Sequence, residues 1–303
     1  MQINADTDMK DKSKIQNPKS KICLTIAGLD PSGGAGIVAD IKTFTAFGCF
    51  ATAAITSITF QNTTGVFGAI HQTAESVRGQ IEPIIEDFTV AALKTGMLPT
   101  REVIEETWRI VKKNRLKNFV VDPVVRSTSG FDLIDDEALQ SLIKNLFPLA
   151  DVVTPNLPEA ERIARLKIET EKDIEKAARI MQNFGAKNVL IKGGHFFEGE
   201  RRKAKGENEI ENPKPMTEDK NKIKDRKAID YLFVGDDIRV FEAEFIETNA
   251  THGTGCTLAA AITANLALGK TLIEAVERAK NFVTEAIRTA PNLGHGHSPI
   301  NIM

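Results

Sequence analysis

From Ile22 onward the apolar residues of this chain change period repeatedly, short runs rich in Val, Ile and Thr alternating with longer stretches of helical spacing. Parallel strands joined by crossover helices have this pattern, since a parallel pair cannot be closed by a tight turn. Strands are predicted at residues 22–27, 52–60, 90–94, 119–121, 151–154 and 188–192, with helices centred near Ala39, Gln80, Ile110, Leu142, Ala178 and Ala260. The expected architecture is a three-layer α/β/α domain around a mostly parallel sheet. With 303 residues, 42% of them hydrophobic, the chain can bury a core of that size.

Two segments break the pattern. Residues 1–20 are polar and lack the apolar core of a signal peptide, so they read as a flexible extension, leaving 21–303 as the folded domain. Residues 198–230 are dense in Lys, Glu, Asp and Asn and read as a solvent-exposed, disordered insertion. Beyond it, residues 231–234 and 238–245 alternate around Gly235, Asp236 and Asp237, as in a hairpin.

Charge narrows the partners. Lys plus Arg total 39 against 41 acidic residues, a net charge of -2, so no basic field recruits nucleic acid or anionic membrane. No apolar run reaches the roughly 20 residues of a membrane span. The three cysteines, Cys23, Cys49 and Cys256, form no CxxC pair, and a reducing cytoplasm is expected.

Glycines mark the chemistry. Gly28 to Gly36 follows a strand and opens a helix, and Gly34, Gly36 and Ala39 match a dinucleotide-binding turn. The second strand nevertheless ends in Gln61 and Asn62, without the carboxylate that would hold a ribose. Gly269, Lys270 and Thr271 imitate the tail of a phosphate-binding loop, but Ala264 replaces its first glycine, so they read as a helix end. Thr251, His252, Gly253, Thr254, Gly255, Cys256 and Thr257 precede a helix, where open N–H groups and the helix dipole favour an anion. A cysteine there is expected to have a lowered pKa and to act as a base. Asn156 and Glu159 could orient magnesium or simply cap a helix, and Lys192, at a strand end before Gly193, could reach a phosphate.

Together these segments resemble the hydroxymethylpyrimidine and phosphomethylpyrimidine kinases of thiamine biosynthesis, members of the ribokinase superfamily. The resemblance runs in the family's order through Gly28, Gln61 to Thr63, residues 94–98, Asp122 to Val124, and residues 154–160, 192–195 and 251–257. It implies a single ribokinase-like domain, ATP with Mg2+, and two successive phosphorylations of an aminopyrimidine, first on its alcohol and then on the monophosphate. It further implies that Gln61 hydrogen-bonds the pyrimidine in a pocket lined by Gly28, Ala35, Asp40, Met97 and Val124. Asp122, Asn156, Glu159, Lys192 and Thr251 would serve the nucleotide, with Asn156 and Glu159 holding magnesium directly or through water. Lys192 would face the phosphates, Gly253, Thr254 and Gly255 would form an anion hole, and Cys256 would be the base. A homo-oligomer is also expected. The rival expectations are a pyridoxal kinase of the same fold and a non-catalytic ligand-binding relative.

Overall fold

The computed structural model describes residues 20–125, 133–193 and 226–303. Residues 1–19 of the expected extension, residues 198–225 of the expected insertion, and Gly194 and His195 lie outside the described residues.

The strands are β1 (Ile22–Leu29), β2 (Phe50–Asn62), β3 (Gly65–His71), β4 (Val90–Thr95), β5 (Phe119–Val121), β6 (Val152–Val153), β7 (Asn188–Lys192), β8 (Lys227–Val234) and β9 (Asp237–Glu244). Among the described residues they form one nine-stranded sheet in the order β3-β2-β1-β4-β5-β6-β7-β8-β9. From β2 through β7 neighbouring strands run parallel, and β3, β8 and β9 are added antiparallel at the two edges. The order reverses direction at β1, which pairs with β2 on one side and β4 on the other. A crevice at the carboxyl ends of the strands is the usual place for a ligand in such a sheet.

The helices are α1 (Gly36–Ala46), α2 (Ala74–Asp87), α3 (Arg101–Asn114), α4 (Asp136–Asn145), α5 (Leu157–Ala164), α6 (Glu171–Asn183), α7 (Thr254–Ala267) and α8 (Leu272–Arg288). Alternation along each strand divides them between two layers. Leu24, Leu93, Phe119 and Val121 face Val77, Ile104, Leu142 and Ile174 of α2, α3, α4 and α6. Their neighbours Cys23, Ala92 and Val120 face the opposite layer, where α1, α7 and α8 contribute Phe44, Ala260, Ile262 and Val276. Helix α7 is buried along almost its whole length, which is why it reads as an Ala-rich run without a polar stripe. No described helix is long and apolar enough to cross a membrane.

One predicted boundary is corrected. Residues 227–230, placed in the insertion by their charge, belong to β8, and Asp230 pairs with Lys280 of α8 at 2.7 Å with both side chains largely buried. The ion pair lets a charged residue sit inside a strand. The hairpin itself is found, with Val234 opposite Asp237.

Candidate active site

The strand ends converge on one cavity. Gly28 of β1 and Met97, just beyond β4, form part of its wall, and a Cβ on Gly28 would lie 3.1 Å from Met97 Sδ. Thr56 Oγ1 fixes this stretch by donating to the Met97 carbonyl at 2.6 Å. Gln61 reaches the same space from β2, as do Val124, beyond β5, and Ala35, the residue before α1. The Ala35 N–H is held by Asp30 Oδ2 at 2.9 Å.

Asp40, expected beside them, is absent from the lining. It lies on the buried face of α1, fully enclosed, where Lys94 Nζ donates to its two oxygens at 2.9 and 3.1 Å and Thr25 Oγ1 donates at 2.6 Å. Helical period explains the difference: Ile37, Asp40 and Phe44 share one face, and that face packs on the sheet. Burial pushes the Asp40 carboxyl up against the opposing pull of Lys94.

The facing wall is the loop before α7. Gly253 adopts φ 81°, and a Cβ there would overlap the Gly34 carbonyl, so two loop backbones touch. Helix α7 has no side-chain cap, and the N–H groups of Gly255 and Cys256 meet no acceptor among the described residues. Thr254 is spent locally, its N–H and hydroxyl both donating to the Thr251 carbonyl. Lys192 Nζ stands 3.2 Å from the place of a Gly255 Cβ, which brings a cation to the two open N–H groups.

Cys256 departs from expectation. The narrow cavity it borders offers its thiol little solvation, and desolvation pushes the pKa up to about 11, although Lys94 and the Gly36 N–H favour the thiolate. The helix terminus was expected to prevail. Here burial wins.

The ends of β5, β6 and β7 supply the charged side. Lys192 Nζ donates to Asp122 Oδ1 at 2.9 Å, and Thr154 Oγ1 donates to the same oxygen at 3.0 Å. Asn156 and Glu159 form a capping box at the start of α5: Asn156 Oδ1 accepts from the Glu159 N–H, and Glu159 Oε2 from the Asn156 N–H, each at 2.8 Å. The helix-capping reading of this pair therefore describes their geometry. Glu159 also lines the cavity, and burial pushes its carboxyl up to about 7, with Lys192 opposing and Asp122 adding to the rise.

No cluster of three or more His, Cys, Asp or Glu suited to a metal occurs among the described residues. Asn156 Oδ1 is occupied by a backbone donor, so direct ligation by that residue fits poorly. The Asp122 and Glu159 carboxylates, both at the cavity wall, already accept from Lys192, Thr154, Asn156 and Val125, so they fit a magnesium ion that keeps its waters and is held through them.

A family model described as phosphomethylpyrimidine kinase matches residues 30–301. The chain belongs to that family. A Staphylococcus aureus hydroxymethylpyrimidine/phosphomethylpyrimidine kinase is 41% identical over 284 residues, covering 93% of this chain and 94% of the relative. The crystal structure of a phosphomethylpyrimidine kinase from Clostridium difficile has 39% identity and a TM-score of 0.70, covering 88% of this chain and all of that one. An ADP complex of Bacillus subtilis pyridoxal kinase has 36% identity and a TM-score of 0.77, covering 93% and 97%. The kinase thus has the ribokinase-like fold expected of it.

In this kinase the cavity also includes residues to which the motifs assigned no role. Asp30, Thr59 and His252 line it, and Lys94 lies just behind its wall, 3.3 Å from where a Gly96 Cβ would sit. Asp30 accepts from Ser32 N and Oγ, Ala35 N and His252, which hold its carboxyl below the usual range despite burial. A carboxylate two residues before Ser32 in a Gly-rich turn was the available signal for that loop clasp. His252 and Lys94 find their partners far away in sequence, so no local pattern announces them.

Proposed function

We propose that this kinase transfers the γ-phosphoryl group of ATP to the hydroxymethyl group of 4-amino-5-hydroxymethyl-2-methylpyrimidine and then phosphorylates the resulting monophosphate, two steps of thiamine biosynthesis. The observation that carries this reading is that Gln61, which can pair with an aminopyrimidine edge, faces the same cavity as Lys192 and the open N–H groups of Gly255 and Cys256. An acceptor and a phosphoryl donor can therefore meet between them.

Phosphoryl transfer passes through a loose transition state, so positioning and charge neutralisation do most of the work. Gly28, Ala35, Met97 and Val124 enclose the ring, and Gln61 orients it. Lys192 and the loop N–H groups stabilise the charge on the moving phosphoryl. Asp122, Asn156, Glu159 and Thr251 form the nucleotide side, and Asp122 holds the Lys192 ammonium in place. A hydrated magnesium ion at Asp122 and Glu159 would supply further neutralisation of phosphate charge.

Cys256 takes part as a thiol. A pKa of about 11 leaves roughly one molecule in 10⁴ as thiolate at pH 7. The thiol is therefore the form that meets the substrate, and its removal should cost less than the about 10²- to 10⁴-fold typical of losing a general base. In a loose transition state the alcohol can lose its proton late, to an oxygen of the arriving phosphoryl group. The monophosphate, whose second pKa is near 6, needs no base at neutral pH.

The test is turnover by the full chain with ATP and Mg2+, offering the pyrimidine alcohol, its monophosphate and pyridoxal separately. Phosphorylation of both pyrimidines in preference to pyridoxal is expected. Preference for pyridoxal would move the chain to the activity named for its Bacillus subtilis neighbour, and no ATP consumption with any acceptor would refute the enzyme reading. The homo-oligomer expected with this family is also part of the proposal, and light scattering on the full chain tests it.

A further inference from the structure

His252 opens the anion loop, yet its ring points across the cavity wall to the other loop. Its Nε2 lies 2.7 Å from Asp30 Oδ2 and 3.3 Å from Gln61 Nε2, and its backbone N–H donates to the Ser298 carbonyl at 3.2 Å. The ring rests against Gly34, where any Cβ would overlap it. One nitrogen atom thus meets a carboxylate and a carboxamide.

Proton arithmetic decides how these groups are arranged. Asp30 is 3% exposed, and its oxygens already accept from Ser32 N, Ser32 Oγ and Ala35 N, so it faces His252 as an unprotonated acceptor. Nε2 must then carry the hydrogen and give it to Asp30. A nitrogen that carries a hydrogen in the ring plane has no lone pair there to receive the Gln61 amide. Two donors cannot satisfy each other across 3.3 Å.

Thr59 supplies the other half of the argument. Its hydroxyl has one proton and two acceptors in reach, the Leu29 carbonyl at 3.0 Å and Gln61 Oε1 at 3.2 Å. With the Gln61 carboxamide turned end for end, its oxygen accepts from His252 Nε2–H, shared with Asp30, and its NH2 donates to Thr59 Oγ1. Thr59 gives its single proton to Leu29. Every donor then meets an acceptor, and because amide oxygen and nitrogen have nearly the same size and shape, the turn displaces no other group.

We infer that His252 is a positioning residue that sets the direction of the Gln61 carboxamide, and through it which heteroaromatic edge the site accepts. The inference rests on the reading that Gln61 pairs with the substrate ring. In this orientation Gln61 offers an acceptor on the His252 side and a donor on the Thr59 side. A fitting ring carries an amino donor next to a ring-nitrogen acceptor, with the amino group toward His252. A ring that presents a keto oxygen beside a ring N–H has the reverse pattern and does not match.

A double-mutant cycle read by calorimetry with 4-amino-5-hydroxymethyl-2-methylpyrimidine tests this. His252→Phe keeps the ring and removes the donor; pyrimidine affinity should fall about tenfold, the size of one lost hydrogen bond, with nucleotide affinity unchanged. In a Gln61→Leu background the same change should add nothing, because the amide it orients is gone. His252→Gln, whose amide nitrogen can stand near the Nε2 position, should restore most of the affinity. His252→Ala, which needs less room beside Gly34, should match His252→Phe and serves if the larger variant does not fold. Additive losses in the double variant would overturn the inference, as would full pyrimidine affinity in His252→Phe while Gln61→Leu binds weakly. Full affinity in Gln61→Leu itself would overturn the substrate reading beneath it, and is distinguishable because that variant leaves His252 untouched.

Discussion

Two lysines near the carboxyl ends of parallel strands each meet an aspartate at 2.9 Å, Lys94 of β4 with Asp40 and Lys192 of β7 with Asp122. In sequence they look alike, since each stands within two residues of a glycine. Their surroundings differ. The Lys94 and Asp40 side chains are both 0% exposed, whereas Lys192 keeps 14% of its side chain open to the cavity. Lys94 stops one residue short of the strand end, so the sheet's alternation turns it under α1; Lys192 is the last residue of its strand and projects beside Gly255. Desolvation works to lower the pKa of each ammonium, yet their acidic neighbours hold both above the usual lysine value. A sealed pair is out of a ligand's reach, while a pair with one open side can receive a ligand's charge.

That contrast can be broken in several ways. Lys94→Met strands a buried carboxylate and should remove about 3–5 kcal/mol of stability, measured by urea unfolding. A loss under about 1 kcal/mol, the scale of an exposed pair, would mean that water reaches Asp40. Lys192→Met should lower kcat by about 10²- to 10³-fold while disturbing stability less than Lys94→Met, because the lost ammonium was partly hydrated at the cavity and Thr154 still donates to the buried Asp122. Unaltered kcat with a large stability loss would make the two lysines alike.

Glu159 sharpens the open side through pH. Its carboxyl is raised to about 7, so if the ionised form serves the nucleotide, kcat/KM for ATP is full above pH 7 and falls about tenfold per unit as protonation discharges it below. Glu159→Gln should be low and free of that limb; an acid limb that persists would assign it to another group. The smallest effect belongs to Lys94→Met combined with Asp40→Leu. Removing both charges should recover most of the stability lost in the single variant, since a buried ion pair replaced by apolar groups is often close to neutral.

Local signals account for most of the fold and less of the site. Phe119–Val121 and Asn188–Lys192 appear at their predicted bounds because short β-branched runs between turns have few alternatives. Strand β3 went unread, since Gly65 and Gly68 interrupt the alternation of an edge strand. Helix α8 starts at a capping box of Thr271 and Glu274, but only Gly269 and Lys270 lie between its cap and that of α7, so the segment reads as the end of one helix rather than the start of another. In the site, glycines marked the loops correctly, but the direction of a side chain depends on what packs around it. Asp40 pairs with a lysine 54 residues away and His252 with an aspartate 222 residues away, separations at which periodicity carries no information. The expected lowering of the Cys256 pKa fails for the same reason, as desolvation is a property of the assembled cavity.

The central claim is that charge neutralisation by Lys192 and the α7 loop, without a cysteine base, drives both transfers. Single-turnover rates for the pyrimidine alcohol and for its monophosphate, measured on Cys256→Ala beside the unaltered chain, test it most directly. If Cys256 stays a thiol, the two steps should slow by similar factors, each well below the roughly 10²-fold minimum expected from losing a general base. A loss of about 10²- to 10⁴-fold confined to the alcohol, with the monophosphate step intact, would contradict the account and make Cys256 the proton acceptor.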